Sequence, residues 1–222
     1  MGIWGKQVVP RLTDVMLGNE EVRRHRRRAV TGLRGVVLEI GFGSGLNVPV
    51  YPDEVERVLA VDPSEVGWEL ARHRIESSAV EIEFVGLDGQ DITLPDASAD
   101  TALSTFTLCT VPDPARALAE VRRVLRPGGR FHFLEHGLCP DPGVARWQHR
   151  CNGVQRRVAG GCNLDRAVDR LVRDAGFEID DLQTGFLGGP KISRPWSYLY
   201  EGSASESGVL DPDAHLLPPT GD

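Results

Sequence analysis

Long apolar runs are missing. No window holds the roughly 18 uninterrupted apolar residues that a membrane-spanning helix needs, so none is expected. The opening segment MGIWGKQVVPRL lacks the apolar core of a secretory signal, and a cytoplasmic protein is the expectation. Cysteine is scarce. Cys109, Cys139, Cys151 and Cys162 form no C-x-x-C pair, which excludes the common zinc spacings and the disulfide framework of a small secreted domain. Free thiols and no metal site are expected. There is no internal repeat and no excess of basic charge. The formal net charge is −7, but residues 201–222 hold five of the 32 acids and none of the 25 bases, so the rest is close to neutral. Charge therefore names no partner. What remains is ordinary for one soluble globular domain: 222 residues, 41% hydrophobic and 26% charged.

Residues 1–35 read as a helical cap. Asn19 suits a helix N-cap, and Glu20 and Glu21 in the first turn complement the positive end of the helix dipole. The run RRHRRR at 23–28 reads first as a solvated helix surface, with contact to an anionic partner as the second reading. From residue 36 strands and helices alternate. Strands are expected over 36–40, 58–61, 82–85, 101–106 and 131–135. Ser64 caps a helix to about Ser77, with Trp68, Ala71 and Ile75 on its buried face. Asp113 and Pro114 start a helix with Leu118, Val121 and Leu125 inside, and RPGG at 126–129 stops it. Residues 137–163 form an insertion, a lid candidate, in which Trp147, Cys151, Val154 and Val158 recur at helical spacing. A helix over 164–174 and a late hairpin of strands, 177–185 and 196–200, complete the main domain, 36–202. Residues 203–222 read as a disordered acidic tail. This order implies an α/β sheet, mainly parallel, with one late antiparallel strand. In such sheets ligands sit beyond the carboxyl ends of the strands.

Three strand ends carry candidate residues. Gly41-Phe42-Gly43-Ser44-Gly45 follows the first strand, and its glycines permit positive φ and close approach of a ligand. The dinucleotide fingerprint G-x-G-x-x-G would need a small residue at Leu46, and Pro49 and Pro52 follow too soon for a clean pyrophosphate-binding helix. Asp62 ends the second strand. Alone, before Pro63, it suits a turn equally well; beside the glycine loop its carboxylate suits the two hydroxyls of a ribose. Asp88, Gly89 and Gln90 follow the third strand, either as an adenine-binding loop or as a plain polar loop.

Taken together, LEIGFGSG, AVDPS, LDGQDITLPDASAD and EVRRVLRPGGRF resemble the class I S-adenosylmethionine-dependent methyltransferases of the broad type 11 group, most closely over residues 36–138. The resemblance implies a Rossmann-like fold with a mainly parallel seven-stranded sheet, one antiparallel strand, and helices on both faces. It implies S-adenosyl-L-methionine as cofactor. Glu39, Gly41, Gly43 and Gly45 then hold the methionine part, Asp62 with Pro63 the ribose, Asp88, Gly89 and Gln90 the adenine, and Thr105 and Phe106 flank the cofactor. Gly89, Gln90 and Ala99 depart from the residues usual at those places. NVPVYP, STFTLCTVPDP, FLEHG and GGCNLDR look like the microsomal alkyl-thiol methyltransferases and their bacterial relatives. The vertebrate members carry an N-terminal membrane anchor, which is not expected here.

A sulfonium methyl is already activated, so a protein of this kind aligns a nucleophile behind it and excludes water. The expected acceptor is small and apolar, a thiol or a phenol or other hydroxyl. Phe106, Thr107, Leu108 and Cys109 are expected at the methyl end. His136 is the candidate base, with a structural histidine as the alternative. Trp147 and His149 are lid candidates, although Trp147 reads more readily as core. Asn163 suits a helix cap. A nicotinamide-dependent oxidoreductase is a different reading of a related sheet, disfavoured by the missing third glycine. A catalytically silent cofactor-binding module is a third. Nucleic acid is not an expected partner, because no aromatic-interleaved basic patch accompanies the arginines. The oligomeric state is left open.

Overall fold

The protein was analysed as a computed structural model, which describes residues 4–206. A short π-helical segment, Trp4–Val8, leads into helices α1 (Val9–Leu17) and α2 (Glu20–Ala29). The remaining elements are β1 (Gly35–Ile40), β2 (Val55–Val61), α3 (Glu65–Glu76), β3 (Glu81–Gly86), β4 (Ala99–Thr105), α4 (Pro114–Val124), β5 (Leu125–His136), α5 (Pro142–Val158), α6 (Val168–Asp174), β6 (Phe177–Phe186) and β7 (Tyr198–Glu206). The seven strands form one sheet in the order β3-β2-β1-β4-β5-β7-β6. Strands β1 to β5 pair in parallel, and β7 runs antiparallel to both β5 and β6.

Side chains of the central strands alternate between two cores. Leu38, Ile40, Ala102, Phe131 and Phe133 pack with Leu118 and Val121 of α4 and Val168 and Val172 of α6. Val37, Val58, Ala60 and Leu103 pack with Val30, Leu33, Phe42 and Ala71 on the other face. Burial on both faces explains the near-continuous apolar strands. The helix starts follow side-chain chemistry. Asn19 Oδ1 accepts from the Val22 amide, Ser64 Oγ from Gly67 and Asp113 Oδ1 from Arg116.

Four expectations change. Strand β7 continues to Glu206, so 203–206 are sheet, because each of these residues pairs with β5 or β6. The rest of the expected tail, 207–222, lies outside the described residues. The helix expected over 164–174 begins at Val168. The arginine run is not a plain solvated face. Arg26 is buried, Arg28 and His25 both engage Glu201 of β7, and Arg23 and Arg27 pair with Glu20. Finally, the apolar stripe of α5 points outward: Trp147, Val154 and Val158 are exposed. The helix is anchored by its one buried residue, Gln148, which accepts from the Cys139 amide and donates to the Gly137 and Pro195 carbonyls.

Candidate functional site

The carboxyl ends of the first four strands open into one cavity of about 570 Å³, within the range of small-molecule sites. Its floor is the glycine loop after β1. Gly41, Gly43 and Gly45 all have positive φ. A Cβ at Gly41 would fall 1.7 Å from Thr107 Oγ1, so the β1 and β4 loops can touch only through glycine here. A Cβ at Gly43 would meet almost nothing, and that glycine borders open space in the cavity. The Asp62 carboxylate ties the loop to β2. Oδ2 accepts from the Gly43 amide at 2.8 Å and Oδ1 from the Ser64 amide at 2.7 Å. Burial pushes its pKa up, opposed by those two amides. Each oxygen keeps a further lone pair for a ligand. Asp88 is exposed, and its pKa is lowered by the side chain and amide of Gln90.

The far end is organised by a buried network that spans four elements. Arg26 of α2 donates to Asn47 Oδ1 at 2.8 Å and Thr105 Oγ1 at 2.9 Å. Asn47 Nδ2 donates to Glu39 Oε1 at 2.9 Å and to Thr105 Oγ1 at 3.0 Å, and the Tyr51 hydroxyl donates to Glu39 Oε2. Burial raises the Glu39 pKa to about 7 against the pull of Tyr51, Asn47 and Arg26. Burial lowers that of Arg26 to about 10, so the guanidinium stays charged near neutral pH. Arg26 lines the cavity, its Cζ lies 5.3 Å from the Phe106 ring centroid, and its buried Nε has no protein partner. Phe106 itself has φ of 56°, a strained value for a bulky residue. Buried Glu135 holds the turn that follows, accepting from the Thr107 amide at 3.0 Å and the Cys109 amide at 3.3 Å.

A methyltransferase-domain family model matches residues 38–133. A bacterial phosphatidylethanolamine N-methyltransferase from Cereibacter sphaeroides is 30% identical over 168 residues, 72% of this chain and 79% of that protein. The chain belongs to the S-adenosylmethionine-dependent methyltransferases. A human thiol S-methyltransferase is 36% identical over 156 residues, 68% of this chain, and the match spans 64% of that protein's own length. Among solved structures, a methyltransferase from Thermotoga maritima shares the fold with a TM-score of 0.64, 24% identity, and coverage of 93% of this chain and all of that one.

The methyltransferase uses S-adenosylmethionine, and the cavity fits that cofactor. It holds a buried cation with an unpartnered donor, and a carboxylate with spare lone pairs. Of the sequence candidates, Gly41, Gly43, Asp62, Pro63, Asp88, Gly89, Gln90, Thr105 and Phe106 all reach its wall. Glu39 does not. It is fully buried, bonds Asn47 and Tyr51, and stands one layer behind Arg26. Gly45 is a packing position, where a Cβ would press on Ala71, Val48 and Phe42. Leu108, Cys109 and His136 are buried off the wall, and Trp147 faces solvent. His149 pairs with Asp165, and Asn163 bonds the Cys109 carbonyl. The sequence reading missed Arg26, Asn47 and Tyr51. NVPVYP held part of the signal, but Arg26 was hidden in its run of arginines. It also missed the wall built by Gly5, Lys6, Gln7, Val9, Pro10, Thr13 and Leu17.

Proposed function

We propose that this methyltransferase transfers the cofactor's methyl to a small apolar thiol. When bound, S-adenosylmethionine supplies an activated methyl electrophile. Arg26 and Thr105 hold the methionine end, with the charge of Arg26 set against the carboxylate there. Gly41 and Gly43 give that part room, Asp62 accepts from the ribose hydroxyls, and Asp88 with Gly89 and Gln90 faces the adenine. Phe106, Thr107, Val111 and the 5–17 segment surround the acceptor and exclude water, the last acting as a cap.

The observation that supports a thiol is the composition of the wall. Its carboxylates, Asp62, Glu65 and Asp88, all follow β2 and β3, and among the described residues no His, Cys or Tyr lines it. Among those residues the acceptor end thus offers no imidazole, thiol or phenol as a base, and Lys6 is the one titratable side chain that the 5–17 segment adds to the wall. A thiol with a pKa near 8.5 supplies its own thiolate, whereas a phenol near 10 or an alcohol calls for help. The human thiol S-methyltransferase relative supports the same reading. The phosphatidylethanolamine relative keeps an amine acceptor as the competing one.

The test is a methyl-transfer screen of alkyl thiols, phenols and amines, read as S-adenosylhomocysteine release. Thiols are expected to dominate, and faster turnover of phenols or amines would reject the assignment. Asp62→Ala should weaken S-adenosylmethionine binding in calorimetry. Unchanged affinity in that variant would reject the ribose role.

A further inference from the structure

Three side chains that the cofactor site leaves unused meet beside it. Cys109 lies in the turn after β4, His136 ends β5, and Cys162 follows α5. Asn163 brings the two cysteine segments together: its amide donates to the Cys109 carbonyl at 2.7 Å and its side chain to the same oxygen at 3.0 Å. Cys162 Sγ lies 3.6 Å from His136 Nδ1, and Cys109 Sγ lies 3.7 Å from Thr110 Oγ1. His136 is buried, and its Nε2 has no protein partner. Gln155, Glu135 and the Arg166 guanidinium are the other polar groups facing the pair. Cys109 is buried and Cys162 half-buried, so Cys162 is the more exposed of the two. The neighbouring Cys109 and the adjacent His136 hold the Cys162 thiol well below its ordinary pKa, while the Cys109 thiol is raised. Such a contrast separates an attacking sulfur from a reserve one.

We propose that Cys162 and Cys109 form a hydroperoxide-reactive thiol pair, with Cys162 the attacking sulfur and Cys109 the resolving one. The Cys162 thiolate attacks the terminal peroxide oxygen. An S–O bond forms, the O–O bond breaks, and the departing alkoxide or hydroxide takes up the proton that the Cys162 thiol gave up, leaving as an alcohol or water. Cys109 sulfur then attacks the Cys162 sulfenic acid. The S–S bond forms and water leaves, carrying the Cys109 proton. One hydroperoxide thus takes up the two electrons that the thiols lose. Thr110, next to Cys109, and Gly160, two residues before Cys162, both line the cavity, so the bond would tie two parts of its wall together.

The test uses the reduced full chain and hydrogen peroxide, followed by alkylation and peptide mass mapping. The expected product is a Cys109–Cys162 disulfide within one chain, formed about ten-fold faster than oxidation of the half-buried Cys151. In Cys109→Ser, oxidation should stop at a dimedone-trapped sulfenic acid on Cys162. In Cys162→Ser, Cys109 should stay reduced over the same interval. Cys151 oxidising as fast as Cys162, or a disulfide joining any other pair, would overturn the proposal. These readouts do not depend on which acceptor is methylated.

Discussion

Removing the Arg26 guanidinium leaves Asn47 Oδ1 and Thr105 Oγ1 without their buried donor, and the cavity without its inner cation. A charge-assisted hydrogen bond is worth about 1.5–3 kcal/mol, or about 10- to 100-fold in affinity. Arg26→Met is therefore expected to weaken S-adenosylmethionine binding by about that factor in calorimetry, and binding at wild-type affinity would remove Arg26 from the site. Glu39 gives a pH signature. Between pH 4.5 and about 7 the unfolded chain releases the Glu39 proton while the folded chain keeps it. The unfolded state binds fewer protons, so Glu39 lowers stability as pH rises through that window. Thermal melts should show Glu39→Gln gaining on the wild type from pH 4.5 to 7 and holding a constant lead above it. A pH-independent gap would contradict the shift. Asp62 was legible because its distance from the glycine loop carries meaning. Arg26 was not, since one buried arginine among five in a run differs from its neighbours only in what surrounds it after folding.

At the scale of elements, the first turn of α3 sits against the glycine loop. A Cβ on Gly67 would lie 2.9 Å from the Gly43 carbonyl oxygen, and backbone cannot rotate away as a side chain does. Gly67→Ala should cost about 1–3 kcal/mol through overpacking, outweighing the gain in helix propensity of about 1 kcal/mol. A raised melting temperature would show that α3 can retreat freely. Helix α5 shows the limit of periodicity. Trp147, Cys151, Val154 and Val158 fall on one face, but the pattern does not say whether anything covers it. The helix is held through Gln148 instead, a polar residue with no sequence signal of its own. Gln148→Ala should destabilise by more than about 2 kcal/mol, because buried backbone groups lose their partners, while Trp147→Gln should stay within about 0.5 kcal/mol. Denaturant melts of the two variants decide this, and the reverse ranking would place the anchor of α5 on the wrong face.

For the whole molecule, the alternation of strands and helices made the parallel sheet readable, and the late hairpin gave its antiparallel strand. The acceptor end was not readable in the same way. It is assembled from residues 5–17, the turn after β4 and Gly160, which come together only when α1 packs over the strand ends. That assembly leaves the acceptor end lined mainly by Phe, Thr, Val, Leu and Pro, with Lys6 and Gln7 beside them and no imidazole or thiol among the described residues to take a proton. The central claim is that the acceptor supplies its own nucleophile. The most direct test is the pH dependence of kcat/KM for two alkyl thiols of different pKa, at saturating S-adenosylmethionine. The rate should rise tenfold per pH unit and level off at each thiol's own pKa, so that the inflection moves with the substrate. An inflection at one pH for both thiols would reveal a protein base and contradict the account.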